Sequence, residues 1–159
     1  MNDRTTDPQQ FQADLAATAI AAKGLTDLWA LSQDRDRLMT GLRNAHTDSR
    51  AASYPLSAMI ACNLAQRCVL HMFDHMPNGS AASLAIVDDD GNPINPDTAG
   101  VDPCFTARIR ILTAMLNRDV YAAMDVFLAF DAVHPDRVPD LLADLVEQAH
   151  NTIEKYGSG

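Results

Sequence analysis

The spacing of apolar residues in this 159-residue chain predicts an all-α fold: an antiparallel bundle of four to six helices with one small β-hairpin inserted near residues 83–95. Three observations lead there. Apolar residues recur three and four apart over most of the length. Asp7-Pro8 and Asp102-Pro103 each join an N-cap residue to a proline at the first helical position. The breaks between periodic stretches are short and built from Pro, Gly, Asn and Asp. With 47% hydrophobic residues the chain can fill a core without metal or disulfide support, so one domain is expected over 1–159, with 1–7 and 157–159 as flexible ends.

The first helix starts at Asp7-Pro8 and carries Phe11, Leu15, Ala19 and Ala22 inward. Ala13, Ala16, Ala17, Ala19, Ala21 and Ala22 leave little side-chain bulk, which predicts close approach of a neighbouring helix. Lys23-Gly24 either ends this helix, with Thr26 capping the next, or is passed through; Leu28, Leu31, Leu38 and Leu42 carry the stripe to about Ala45. Residues 46–53 read as a polar linker. Ser53 and Pro55 open a helix of about six turns that Pro77-Asn78-Gly79 closes. The stretch SLAIVDDDGNPIN supplies the hairpin, with Asp and Gly at its turn.

From Asp102-Pro103 the positions Phe105, Ile109, Leu112, Leu116, Val120, Ala123, Phe127 and Phe130 step by three and four to His134-Pro135. They form one long helix or a pair broken near Asn117-Arg118-Asp119. The last helix runs from about Asp136 to Tyr156, with Leu142, Leu145, Val146, Ala149 and Ile153 inside and Asp140, Asp144, Glu147, Gln148 and Glu154 outside.

A formal net charge of −9 opposes broad binding to nucleic acid phosphate or to anionic membrane surfaces. Three cysteines, Cys62, Cys68 and Cys104, are an odd number at no diagnostic spacing and read as reduced, buried thiols. The N-terminal residues show no basic segment followed by an apolar one, and no run of 18 uncharged apolar residues stands out. The expected setting is the cytoplasm, without membrane association.

Cys68, His71 and His75 are the strongest sign of chemistry, because on a continuous helix they would share one side. A thiolate and two imidazoles suit zinc or another transition metal, with Cys104 or water as a fourth ligand. The paired-ligand spacing of structural zinc sites is missing, as is the glutamate of an HExxH helix. On a helical wheel Ala58, Ala61, Cys62, Ala65, Val69, Met72 and Met76 make the core face, and the three candidate ligands fall on its flank beside Ile60 and Leu64.

Residues 88–91, DDDG, do not fit a calcium loop: counted from Asp88, the sixth position holds Pro93 where glycine is required. His134-Pro135-Asp136, set between two helices, is similar to the signature of J-domain co-chaperones. That family carries a basic helix ahead of the tripeptide, whereas the helix here holds Asp119, Asp125 and Asp131 and no Lys or Arg after Arg118. A proline stopping one helix and Asp136 capping the next accounts for the same residues. No nucleophile elbow, phosphate loop or dinucleotide fingerprint occurs, and His46, Ser80 and Tyr121 have no partner that spacing can name.

The sequence therefore favours a non-enzymatic helical protein that acts through helix faces, as an adaptor or regulator, with itself in a homodimer or with a protein partner, and without a cofactor. Helices apolar over more than half their circumference must be covered on several sides, and a second subunit could supply the cover. The alternative is a metal- or small-ligand-binding bundle using Cys68, His71 and His75, with the acidic hairpin as a lid.

Overall fold

A computed structural model describes residues 8–51, 56–75, 84, 87–95 and 100–156, and within them six α-helices pack against one another. The first, α1, runs unbroken over Pro8–Ser32. Gly24 does not end it, although glycine costs about 1 kcal/mol in a helix interior. A Lys23–Asp27 ion pair of 2.7 Å spans the glycine, and the Thr26 hydroxyl donates back to the Ala22 carbonyl at 2.8 Å instead of capping a new helix. The break falls at Gln33, whose φ of 51° turns the chain and whose N–H donates to the Trp29 carbonyl at 2.9 Å. Asp34 then accepts from the Arg37 N–H at 3.2 Å and starts α2, Arg35–Ala51.

The expected linker at 46–53 is therefore helical as far as Ala51. Leu38, Leu42 and His46 lie four apart and are all buried. The histidine extends the inward stripe by a turn, and reading it as polar hid this.

The centre of the fold is α3, Leu56–Val69, which touches each of the other five helices. Ten of its 14 residues are buried, so the cover demanded by its broad apolar surface comes from the same chain. Leu56–Phe73 is also the one stretch among the described residues long and apolar enough to cross a membrane; 61% of it is buried within the bundle. After Val69 the backbone tightens into a 3-10 turn, Leu70–His75. The expected start at Ser53 and Pro55 and the stop at Pro77 lie outside the described residues.

In the expected hairpin, the described residues hold no strand, only one isolated antiparallel bridge between Val87 and Pro93. The turn chemistry is as anticipated. Asp88 Oδ1 accepts from the N–H groups of Asp90 and Asn92 at 3.0 and 2.9 Å, and Gly91 takes a φ of 83°. These bonds hold the loop, and Pro93 has no N–H to continue a ladder.

The 103–133 segment is a pair of helices, α4 at Pro103–Leu116 and α5 at Val120–Val133. Asp102 caps α4 through the Cys104 N–H at 2.8 Å, and Asp119 caps α5 through the Ala122 N–H at 3.1 Å. Pro135 stops α5, residues Pro135–Arg137 form a 3-10 turn, and α6 covers Val138–Tyr156, beginning two residues beyond Asp136.

The apolar face of α6 is buried against α1, α2, α3 and α4 through Leu141, Leu142, Leu145, Val146 and Ala149. Its expected outer acids form a rim. Arg35 of α2 reaches Asp144 at 3.2 Å and Glu147 at 3.0 Å. All three side chains are partly exposed, so each pair contributes at most about 1 kcal/mol. Arg137 likewise clasps Asp102 at 2.9 and 3.2 Å, and this bond, with the Cys104 N–H, holds the Asp102 carboxyl below its usual range.

Candidate functional site

Cys68 and His71 both face α6 but meet different atoms of it. Cys68, expected on the flank, lies in the core at 3% exposure, with its thiol 3.9 Å from the Leu145 carbonyl. His71 is half-buried and stacks on Tyr156, ring centroids 3.9 Å apart and 8° from parallel. Cys68 precedes the 3-10 turn and is covered by the helices packed around α3; beyond Val69 the departure from the wheel is caused by that turn. It advances about 120° per residue instead of about 100°, so by residue 75 the backbone is about 120° out of phase with a continuous α-helix. The His75 side chain lies outside the described residues. Among the described residues no three His, Cys, Asp or Glu side chains gather to hold a metal. Cys104 packs toward the Arg137 carbonyl at 3.7 Å, eight residues before Leu145 and so roughly 12 Å away along α6.

Burial pushes the thiols of Cys62 and Cys68 up to about 12 and that of Cys104 up to about 11. All three are therefore thiols at neutral pH and serve as small apolar groups. An unfolded thiol ionises near pH 8.5, so above that pH the unfolded chain gains thiolates that the folded chain refuses. Stability is expected to be unaffected by these groups below about pH 8.5 and to fall steadily from there as pH rises toward 12. Disulfide-exchange labelling at pH 8 should report less than one reactive thiol per native chain and all three in urea; rapid labelling of the native protein would contradict this burial.

His46 has partners that spacing did not reveal. Its Nδ1 lies 2.9 Å from Ser57 Oγ and its Nε2 lies 3.3 Å from Asp131 Oδ1. These are the groups of an acyl-transfer triad, drawn from α2, α3 and α5. Ser57, however, is 2% exposed, which leaves no approach for a substrate carbonyl. The three side chains tie three helices together by satisfying one another in a buried setting.

Among the described residues the two most exposed large apolar side chains, Leu31 and Ile20, both lie on α1. Its inner face packs Leu15, Ala22, Leu25 and Trp29 against the core, and Asn63 of α3 donates to the Leu15 carbonyl and to Thr18 Oγ1 at 3.2 and 2.9 Å. Its outer face bears Ala13, Ala17, Ile20, Gly24, Leu28 and Leu31, with Ile20 76%, Leu28 37% and Leu31 88% exposed. Five steps over 18 residues average 3.6 residues, the repeat of a straight helix, so the six positions form one line. Of the six alanines expected to admit a close neighbour, only Ala22 is fully buried; Ala13, Ala16, Ala17 and Ala21 are exposed. Fully buried alanines lie instead on other helices, among them Ala58, Ala61 and Ala65 of α3.

Comparison with known protein families, with curated proteins and with solved structures found no match to this chain.

Proposed function

We propose that this protein is a non-enzymatic, helical interaction protein that self-associates through the outer face of α1. The observation that carries this reading is the uncharged line from Ala13 to Leu31, in which Ile20 and Leu31 are among the most exposed large apolar side chains described. Single exposed leucines are ordinary on protein surfaces, but a continuous line with the helical repeat is the pattern of a helix awaiting a partner.

The line is self-complementary. In an antiparallel pairing of two copies centred on Gly24, Ile20 meets Leu28 and the bulky Leu31 meets Ala17. A Cβ built on Gly24 would touch nothing within 4 Å, so the crossing point has room for the second backbone to come close. The ridge Ile20, Gly24, Leu28, spaced by four, is the kind that interdigitates with its own copy in globular helix packing.

Full burial of Ile20 and Leu31 in both copies contributes about 6–12 kcal/mol, at roughly 1.5–3 kcal/mol for each side chain. Association costs about 4–15 kcal/mol in lost motion. With the largest gain and the smallest cost the net is about −8 kcal/mol, so the dimer is expected to be no tighter than about 1 µM. Sedimentation equilibrium from about 5 to 500 µM is expected to pass from monomer to dimer with a single constant. A strict monomer across that range refutes the proposal.

A further inference from the structure

A half-open cavity of about 440 Å³ lies where α1, α3, the 3-10 turn and the α4–α5 junction meet, within the size range of small-molecule sites. Leu15, Cys62, Leu70, Phe73, Met115 and Val120 make its walls apolar. Burial keeps the Cys62 thiol protonated, so it adds no charge. The polar groups are Asn63, Gln66 and Arg118. The Asn63 amide nitrogen is committed to the Leu15 carbonyl, Thr18 Oγ1 and the Met59 carbonyl, which leaves Gln66 and Arg118 as the donors at the cavity.

Arg118 occupies an unusual backbone position. Its φ is 59°, and the N–H groups of Arg118 and Asp119 donate to the Met115 and Ala114 carbonyls, both at 2.9 Å. This is the Schellman ending of α4, and Arg118 holds the left-handed position that glycine fills without strain. The bonds come from the backbone, so glycine would make them equally well. The arginine side chain contributes something else: its guanidinium sits over the Phe73 ring, 4.8 Å from the centroid, at the wall of the cavity. Among the described residues that guanidinium has no hydrogen bond or ion pair, in a chain of net charge −9. The ring covers one face of the cation and leaves its hydrogen-bonding edge open, the edge that pairs two-pronged with a carboxylate.

We infer that this cavity binds a small amphipathic monocarboxylate, its carboxylate held by Arg118 and Gln66 and its apolar body against Leu70, Phe73, Met115 and Val120. The inference does not depend on self-association, because the cavity meets the inner face of α1 through Leu15 and the exposed line is on the outer face.

The test is calorimetric titration of the full chain with sodium decanoate, kept below its micelle concentration, and with decanol. Decanoate is expected to bind one per chain, at least ten times more tightly than decanol. Arg118→Gly should weaken decanoate at least tenfold, leave decanol unchanged, and keep the melting temperature equal or higher, since glycine relieves the left-handed backbone. Leu70→Trp, which fills a half-buried wall position, should abolish binding of both. No saturable decanoate binding to the unsubstituted chain, or equal decanoate affinity in a folded Arg118→Gly variant, overturns the inference.

Discussion

Replacing Phe127 by alanine is expected to lower the unfolding free energy by about 3–5 kcal/mol, the largest effect of any single truncation considered for this chain. Phe127 is 1% exposed and is one of the largest fully buried side chains. It lies on α5, which reaches the rest of the fold mainly through α3 and α4. Its removal leaves a void that rigid helices cannot close, so the loss combines transfer energy with a cavity term. Against a usual total of about 5–15 kcal/mol this is a large fraction. Urea denaturation followed by far-ultraviolet circular dichroism should show an earlier midpoint at unchanged slope, and the melting temperature should drop by roughly 6–20 °C. Leu128, the adjacent residue, is 42% exposed, and Leu128→Ala should cost well under half as much. A larger loss at Leu128 than at Phe127 would mean that α5 is turned the other way on the core.

Charging the outer face of α1 with the pair Ile20→Glu and Leu31→Glu is expected to abolish dimerisation while leaving the monomer folded. Both positions are exposed in the monomer, so each change should shift stability by no more than about 0.5 kcal/mol. In the dimer four large apolar side chains are lost, about 6 kcal/mol at the low end, and four carboxylates meet. Association should weaken more than a thousandfold, beyond the range of sedimentation at any practical concentration. Val133→Glu, on α5 and also well exposed, is the matched control and should leave the dimer intact. If the α1 pair and the control behave alike, the interface is elsewhere.

Much of the helical order was legible. Where a break is announced by local chemistry, as at Asp102-Pro103 and His134-Pro135, pattern and structure agree to within a residue or two; at Asn117-Arg118-Asp119, where the pattern allowed one long helix or a pair, the structure has the pair. These signals are legible because capping and proline effects act within one turn of the chain. Where local signals were ambiguous, packing decided. Gly24 was passed over and Gln33 turned the chain instead. His46 joined the buried face of α2. The stretch around Asp88–Gly91 kept its turn but, among the described residues, formed only a single bridge.

The candidate ligand His71, set in the 3-10 turn, shows where a wheel loses its meaning. It assumes one helical repeat throughout, and the shift to a 3-10 turn after Val69 changes that repeat in the middle of the motif. The partners of His46 come from positions 11 and 85 residues away, separations for which a single sequence carries no signal. Arg118 was recognised only as part of a break; that its guanidinium borders a cavity depends on Phe73, 45 residues earlier.

The sequence by itself determined that this chain is helical, where the helix boundaries at Asp102-Pro103 and His134-Pro135 fall, and that its cysteines follow no disulfide pattern. Each of these follows from interactions spanning a few residues or from bulk composition. The tertiary structure decided which apolar surfaces are covered. It covered most of α3 within one chain, turned the alanine-rich side of α1 to solvent, and placed a cation beside an apolar cavity. Burial is a property of neighbours in space, and two stripes of equal hydrophobicity differ only in what packs against them.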